Sequence, residues 1–237
     1  MKRFLVLLIF VSTIYQAKSQ VLISLLFGDK LNSPDVEFGL DGGVNWGLMS
    51  DFDLRKLYRK FNLGFYFTFR LKQSEHWFLR TGCMVKSERG LSNLSVNDVI
   101  TIDNSFLSTG NGSYSQKLGY FDVPMLIRYR FGFNGFLEFG GQVSLRNNAE
   151  IFYEYDDGDD LISVSRKNVD DVNLLDAGLV GGVGYQLHDT KSLSVAFWYY
   201  KGLANVYNNG INSTNQSLNL KLTIPIGAGK AAKNDAD

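Results

Sequence analysis

The chain has one cysteine, Cys83, so no disulfide can form within it and its stability has to come from packing and closure. Three prolines and two histidines among 237 residues leave few strand breakers and few groups that titrate near neutral pH. Net charge is missing too: 24 Lys and Arg balance 24 Asp and Glu, which excludes the positive field that draws a protein onto nucleic acid. After residue 20 no apolar run approaches the ~18 residues of a membrane-crossing helix. A membrane β-barrel stays open, because only alternate residues of a strand have to face lipid.

What is abundant favours strands and tight turns: 18 Phe, 12 Tyr, 3 Trp and 24 Gly. At the N-terminus Lys2 and Arg3 precede an apolar run from Phe4 to Ile14, with Ala17 and Ser19 in A-x-S spacing. That pattern predicts a secretory leader over residues 1–19. About 218 residues would remain, enough for one large all-β domain. Residues 20–35 read as a periplasmic segment, helix or strand, packing under that domain; 36–227 form the domain and 228–237 a tail.

Strict alternation of apolar and polar side chains recurs in eight segments, beginning near residues 36, 61, 77, 120, 136, 174, 193 and 218. In the second, Phe61, Leu63, Phe65, Phe67, Phe69 and Leu71 share one face; in the fourth, Phe121, Val123, Met125, Ile127 and Tyr129 stand against Asp122, Arg128 and Arg130. The connections alternate long and short along the chain, with 47–60, 87–117, 147–171 and 203–216 long. In an up-and-down barrel this puts all long loops at one end, as bacterial outer-membrane barrels do with their extracellular loops.

Alternation alone does not separate a membrane barrel from a soluble lipocalin-like barrel with its apolar face around a ligand. Three features favour lipid. Strands of 9 to 11 residues suit a tilted crossing of hydrocarbon. Aromatics gather at both strand ends, Trp46, Phe61, Phe121 and Tyr199 at one and Trp77, Phe131, Phe133 and Tyr185 at the other. The polar face mixes glycine with both charge signs: Glu37, Asp41, Arg70, Arg80, Asp122, Arg128, Arg130, Glu138, Arg146 and Asp176. Small residues and paired charges suit a narrow, filled lumen. The expectation is therefore an all-β, eight-stranded antiparallel up-and-down transmembrane β-barrel in an outer membrane, with Pro124 accommodated by a local bulge.

The segments "VEFGLDGGVNWG", "FLRTGCMVKSERG" and above all "GYFDVPMLIRYRF" resemble the PorT-like family of outer-membrane β-barrel proteins. The resemblance covers most of the chain after the expected leader and implies eight strands; the family's namesake is tied to a protein-secretion apparatus, most members have no assigned activity, and the shared motifs are structural, none catalytic. The tail "GAGKAAKNDAD" departs from the terminal aromatic expected of such a strand.

Eight strands enclose a bore that side chains fill, so a general diffusion pore is not expected. Nor is an enzyme, a cofactor or a metal: His76 and His188 both fall in short turns, away from the outer rim where an envelope-lipid enzyme would work. "YDDGDD" at 155–160 lacks calcium-loop spacing. "GLVGGVG" at 178–184 lacks the Lys-Ser/Thr of a phosphate loop. In "DFDLRKLYRK", 51–60, helical spacing would collect Leu54, Leu57, Tyr58 and Phe61 and leave Arg55, Lys56, Arg59 and Lys60 to meet lipopolysaccharide phosphates, against the plainer reading of a basic loop. The expected partners are outer-membrane lipid, lipopolysaccharide and an envelope or secretion-machinery protein.

Overall fold

The computed structural model describes residues 35–50, 52, 56–72, 74–103, 112–157, 160–187 and 193–226. The expected leader over 1–19, residues 20–34 of the expected periplasmic segment and the 228–237 tail lie outside them. Among the described residues nine antiparallel strands form one sheet: β1 (Val36–Met49), β2 (Tyr58–Arg70), β3 (Trp77–Leu94), β4 (Ser113–Arg130), β5 (Gly135–Asp157), β6 (Asp160–Lys167), β7 (Leu175–Gln186), β8 (Ser194–Asn205) and β9 (Thr214–Pro225). One helix, α1 (Val96–Ile102), follows β3.

The sheet closes on itself. β1 pairs with β2 on one side and β9 on the other, β4 pairs with β5, and β5 pairs with β7, so eight strands make a ring. The ninth, β6, pairs with the far half of β5 from Glu150 to Asp157. Closure removes the edges that would leave backbone groups without partners in hydrocarbon.

Outward-pointing side chains are the apolar set of the alternation. Phe139 is 64% exposed, Val183 56% and Phe65 36%, while inward Asp41 and Arg128 are 2% and 3% exposed. With lipid outside, this orientation places the outward apolar faces against acyl chains and sets most of the inward charges against one another. A soluble ligand-binding barrel would need the reverse.

The long-loop end differs from expectation in extent. The eight ring strands have 12 to 23 residues in place of the expected 9 to 11, and the longest, β3, β4 and β5, run on past the hydrocarbon. Much of what reads as loop in 87–117 and 147–171 is strand. Along β4 the even residues stay inward throughout, but the chemistry of both faces inverts near Tyr120. Outside, Phe121, Val123, Met125 and Ile127 give way to Ser113, Ser115 and Lys117; inside, Asp122 and Arg128 give way to Leu118 and Tyr114. The inversion marks the membrane boundary: beyond it the outside is water, so the buried face has to be apolar.

In β5 a bulge at Asn147 changes the phase. Tyr120 opposes Arg146 and Gly119 opposes Asn148, so the buried set moves from Glu138, Gln142 and Ser144 to Ala149, Ile151 and Tyr153. The apolar residues of this extension join Met49, Leu91, Val99, Ile102, Val172 and Tyr207 in one core that caps the barrel mouth. Helix α1 is held over it by a capping box, the Ser95 hydroxyl accepting from the Asp98 N–H and the Asp98 carboxylate accepting from the Ser95 N–H.

Two local expectations fail. Residues 58–60 belong to β2, not to a helix, because Tyr58, Arg59 and Lys60 pair with Gly47, Trp46 and Asn45 of β1; residues 51 and 53–55 lie outside the described set. Pro124 needs no bulge, since it stays in register opposite Gln142 and the Thr81 hydroxyl donates to its carbonyl at 2.8 Å.

Candidate functional site

Inward side chains of the ring assemble two layers of charge. In the layer toward the short turns, the Arg80 guanidinium donates to both Asp41 carboxylate oxygens (2.6 and 2.7 Å), and the Thr223 hydroxyl donates to Asp41 at 2.7 Å. Lys221 Nζ lies 3.2 Å from Asp41 and 3.6 Å from the centre of the Trp198 ring. Glu138 accepts from Arg128 Nε at 2.7 Å and from Trp198 Nε1 at 2.6 Å, and sits 3.5 Å from Arg80 Nε. The Tyr66 ring stacks 4.2 Å from the Arg80 guanidinium and its hydroxyl donates to Glu37.

The layer toward the cap centres on Arg89. It donates to Asp176 Oδ2 (2.9 Å), Asp122 Oδ1 (2.7 Å) and Ser144 Oγ (3.2 Å), between the rings of Tyr120 and Tyr200 at 4.7 and 4.5 Å. Asn215 Nδ2 donates to Asp176 and to the Tyr120 hydroxyl. Three basic side chains stand against Asp41 and Glu138 in the first layer, and one stands against Asp122 and Asp176 in the second. A cavity of about 20 Å³ separates them, bordered by Lys221, Arg89 and Asp122. That is room for one water molecule, not for a solute.

Glycines make the filling geometrically feasible. Gly39 lies opposite Tyr66, Gly182 opposite Trp198 and Gly184 opposite Phe136, and a Cβ on any of the three would collide with the facing ring. Gly90, at φ 154°, lets β3 leave β2 and turn inward; Arg89 then packs against Gly47 of β1. Side chains fill the parting: Asn62 Oδ1 of β2 accepts from the Glu88 N–H of β3 at 3.4 Å, and Asn45 Nδ2 of β1 donates to the Glu88 carbonyl at 2.6 Å.

Of the ten charges expected in the lumen, the structure brings together six: Asp41, Arg80, Arg128 and Glu138 in one layer, Asp122 and Asp176 in the other. Glu37 joins indirectly through Tyr66. Arg70 and Arg130 sit at the short-turn rim, the first 3.8 Å from Asp35 and the second 4.6 Å from the Phe78 ring. Arg146 lies at the other rim, with Nε 3.4 Å from the Asn173 carbonyl oxygen. Sequence reasoning missed Arg89, because the consecutive exposed residues Val85 and Lys86 break the alternation where the β3–β4 register shifts. The available signal was Asp122 and Asp176, two carboxylates near the outer strand ends with no inward cation assigned beside them.

The three described basic residues of 51–60 do not form one face. Lys56 donates to Asp98 at 2.6 Å; burial alone would raise the Asp98 carboxyl, but the bonds from Lys56 and Ser95 hold it below the usual carboxylate range. Lys60 lies over the Tyr58 ring, Arg59 is exposed beside Trp46, and Arg55 is outside the described residues. His76 Nδ1 lies 3.1 Å from the Arg130 carbonyl oxygen at the short-turn end. His188 falls outside the described residues. Among the described residues no three His, Cys, Asp or Glu side chains group to hold a metal.

Comparison with solved structures finds outer-membrane barrels at low similarity. Ail, the attachment invasion locus protein of Yersinia pestis, has 11% identity and a TM-score of 0.42, with 80% of this chain and 97% of that chain covered. Neisserial surface protein A has 9% and 0.39, covering 80% and 96%. OprG of Pseudomonas aeruginosa has 15% and 0.35, covering 80% and 91%. No curated protein sequence matches the chain. The family model described as "Outer membrane protein beta-barrel domain" matches residues 21–208. The chain thus belongs to the outer-membrane β-barrel domain family, and the lipid its apolar faces meet is that of an outer membrane.

Proposed function

We propose that the protein is a non-conducting, non-catalytic anchor that carries a rigid β-structured platform at the cell surface for a protein partner. The observation that carries this reading is the pairing of a plugged bore with an extension of β3 to β6 that keeps its own apolar core above the membrane. A pore has no use for two layers of buried ion pairs. An enzyme acting on envelope lipids would need polar groups converging at the outer rim, where the described residues supply an apolar cap. The sequence resemblance to PorT-like proteins favours a partner in protein secretion.

Planar-bilayer recording of the wild type is expected to show no stable conductance steps. On native gels of solubilised envelope the wild type is expected to run as a high-mass complex, and replacing the β5–β6 tip, residues 152–165, by a short Gly-Ser turn is expected to abolish that complex while leaving the barrel folded, running faster unboiled than boiled. Ohmic channels in the wild type, or an unchanged complex without the tip, would contradict the reading.

A further inference from the structure

The membrane-facing side of the barrel carries a site that the buried network does not involve. Just below the outer boundary, one row of side chains crosses four strands: Arg59 on β2, Trp46 on β1, Leu218 on β9 and Tyr199 on β8. The next row toward the bilayer centre, Phe61, Val44, Leu220 and Phe197, is wholly apolar. The next toward the loops, Leu48, Gln216 and Lys201, turns polar. Leu57 stands over Trp46 and Leu48, and together these side chains enclose an open groove of about 350 Å³. The Tyr199 hydroxyl donates to Gln216 Oε1 at 3.1 Å along its rim.

We propose that this groove binds one molecule of lipopolysaccharide, an acyl chain lying on Trp46 and Leu218 and lipid A phosphates meeting Arg59 on one flank and Lys201 on the other. Three observations fix the occupant. The groove opens to the bilayer, so lipid fills it. It lies at the long-loop end, which in an outer-membrane barrel faces the leaflet built from phosphorylated glycolipid. Two cations flank it, Arg59 beside Trp46 on one side and Lys201 beside Gln216 on the other, and among the described residues neither has a carboxylate partner, so each is open to a phosphate headgroup. The inference does not depend on the platform reading, since it concerns the lipid face alone.

The test is native mass spectrometry of the full chain in detergent, titrated with diphosphoryl lipid A, dephosphorylated lipid A or phosphatidylglycerol. The wild type is expected to hold a single diphosphoryl lipid A through collisional activation that strips the other two. The double variant Arg59→Gln/Lys201→Gln should bind it on the order of tenfold more weakly. Leu218→Trp, which fills the groove and keeps the charges, should lose it, while Phe139→Ala, on β5 away from the groove, should retain it. Unboiled gel mobility checks that each variant is folded. Equal retention by the double variant, equal binding of phosphatidylglycerol, or equal loss in Phe139→Ala would overturn the proposal.

Discussion

Arg89→Met is expected to destabilise the barrel by about 3–5 kcal/mol, read as a lower urea midpoint for the transition between fast and slow unboiled mobility. The size follows from what is left behind. Asp122 and Asp176 are buried, and Arg89 bonds both; without it two carboxylates face each other with no cation in contact. Desolvated charge that has lost its partner costs far more than the pair contributed when intact. The triple variant Arg89→Met/Asp122→Asn/Asp176→Asn should therefore recover most of the loss, although it has fewer strong bonds than the single variant's parent. If the triple variant is as unstable as the single one, Arg89 acts through its packing between Tyr120 and Tyr200, not through its charge.

The second large effect concerns a single added side chain. Gly182→Val places a Cβ onto the Trp198 indole, whose N–H donates to Glu138 at 2.6 Å and whose ring covers Lys221. The indole has nowhere to move in a filled bore. Overpacking costs about 1–3 kcal/mol, and losing a hydrogen bond to a charged group adds about 1.5–3 kcal/mol. Gly181→Val is the matched control. It changes the neighbouring residue by the same atoms, but its Cβ projects outward with nothing within 4 Å, so stability should be unchanged or slightly improved. Equal effects at 181 and 182 would mean that the two faces of β7 are assigned wrongly.

Orientation was legible in the sequence because alternation is a local property. The odd residues Phe65, Val123 and Phe139 and the even residues Asp122, Arg128 and Glu138 separate without knowledge of which strand neighbours which. Closure into eight strands followed from the alternating loop lengths. The extension above the membrane was hidden for a different reason. Past Tyr120 both faces exchange chemistry, and at Asn147 the phase itself slips, so two rules change within a few residues of each other. The same kind of break at Val85 and Lys86 hid Arg89, the centre of the outer charge layer. Residue-by-residue pairing among the charges was not readable, since it depends on the stagger between strands, which brings Arg89 of β3 to Asp176 of β7.

The three tryptophans offer the most direct test of the claim on which the account rests. Trp46 and Trp77 lie on the outward face and Trp198 is 4% exposed within the bore. In single-tryptophan proteins made by Trp→Phe replacement and reconstituted into vesicles, lipids carrying nitroxide on their acyl chains should quench Trp77 and Trp46 strongly and leave Trp198 near its unquenched intensity. Strong quenching of Trp198 with Trp77 protected would place the apolar faces inside and contradict the membrane barrel outright.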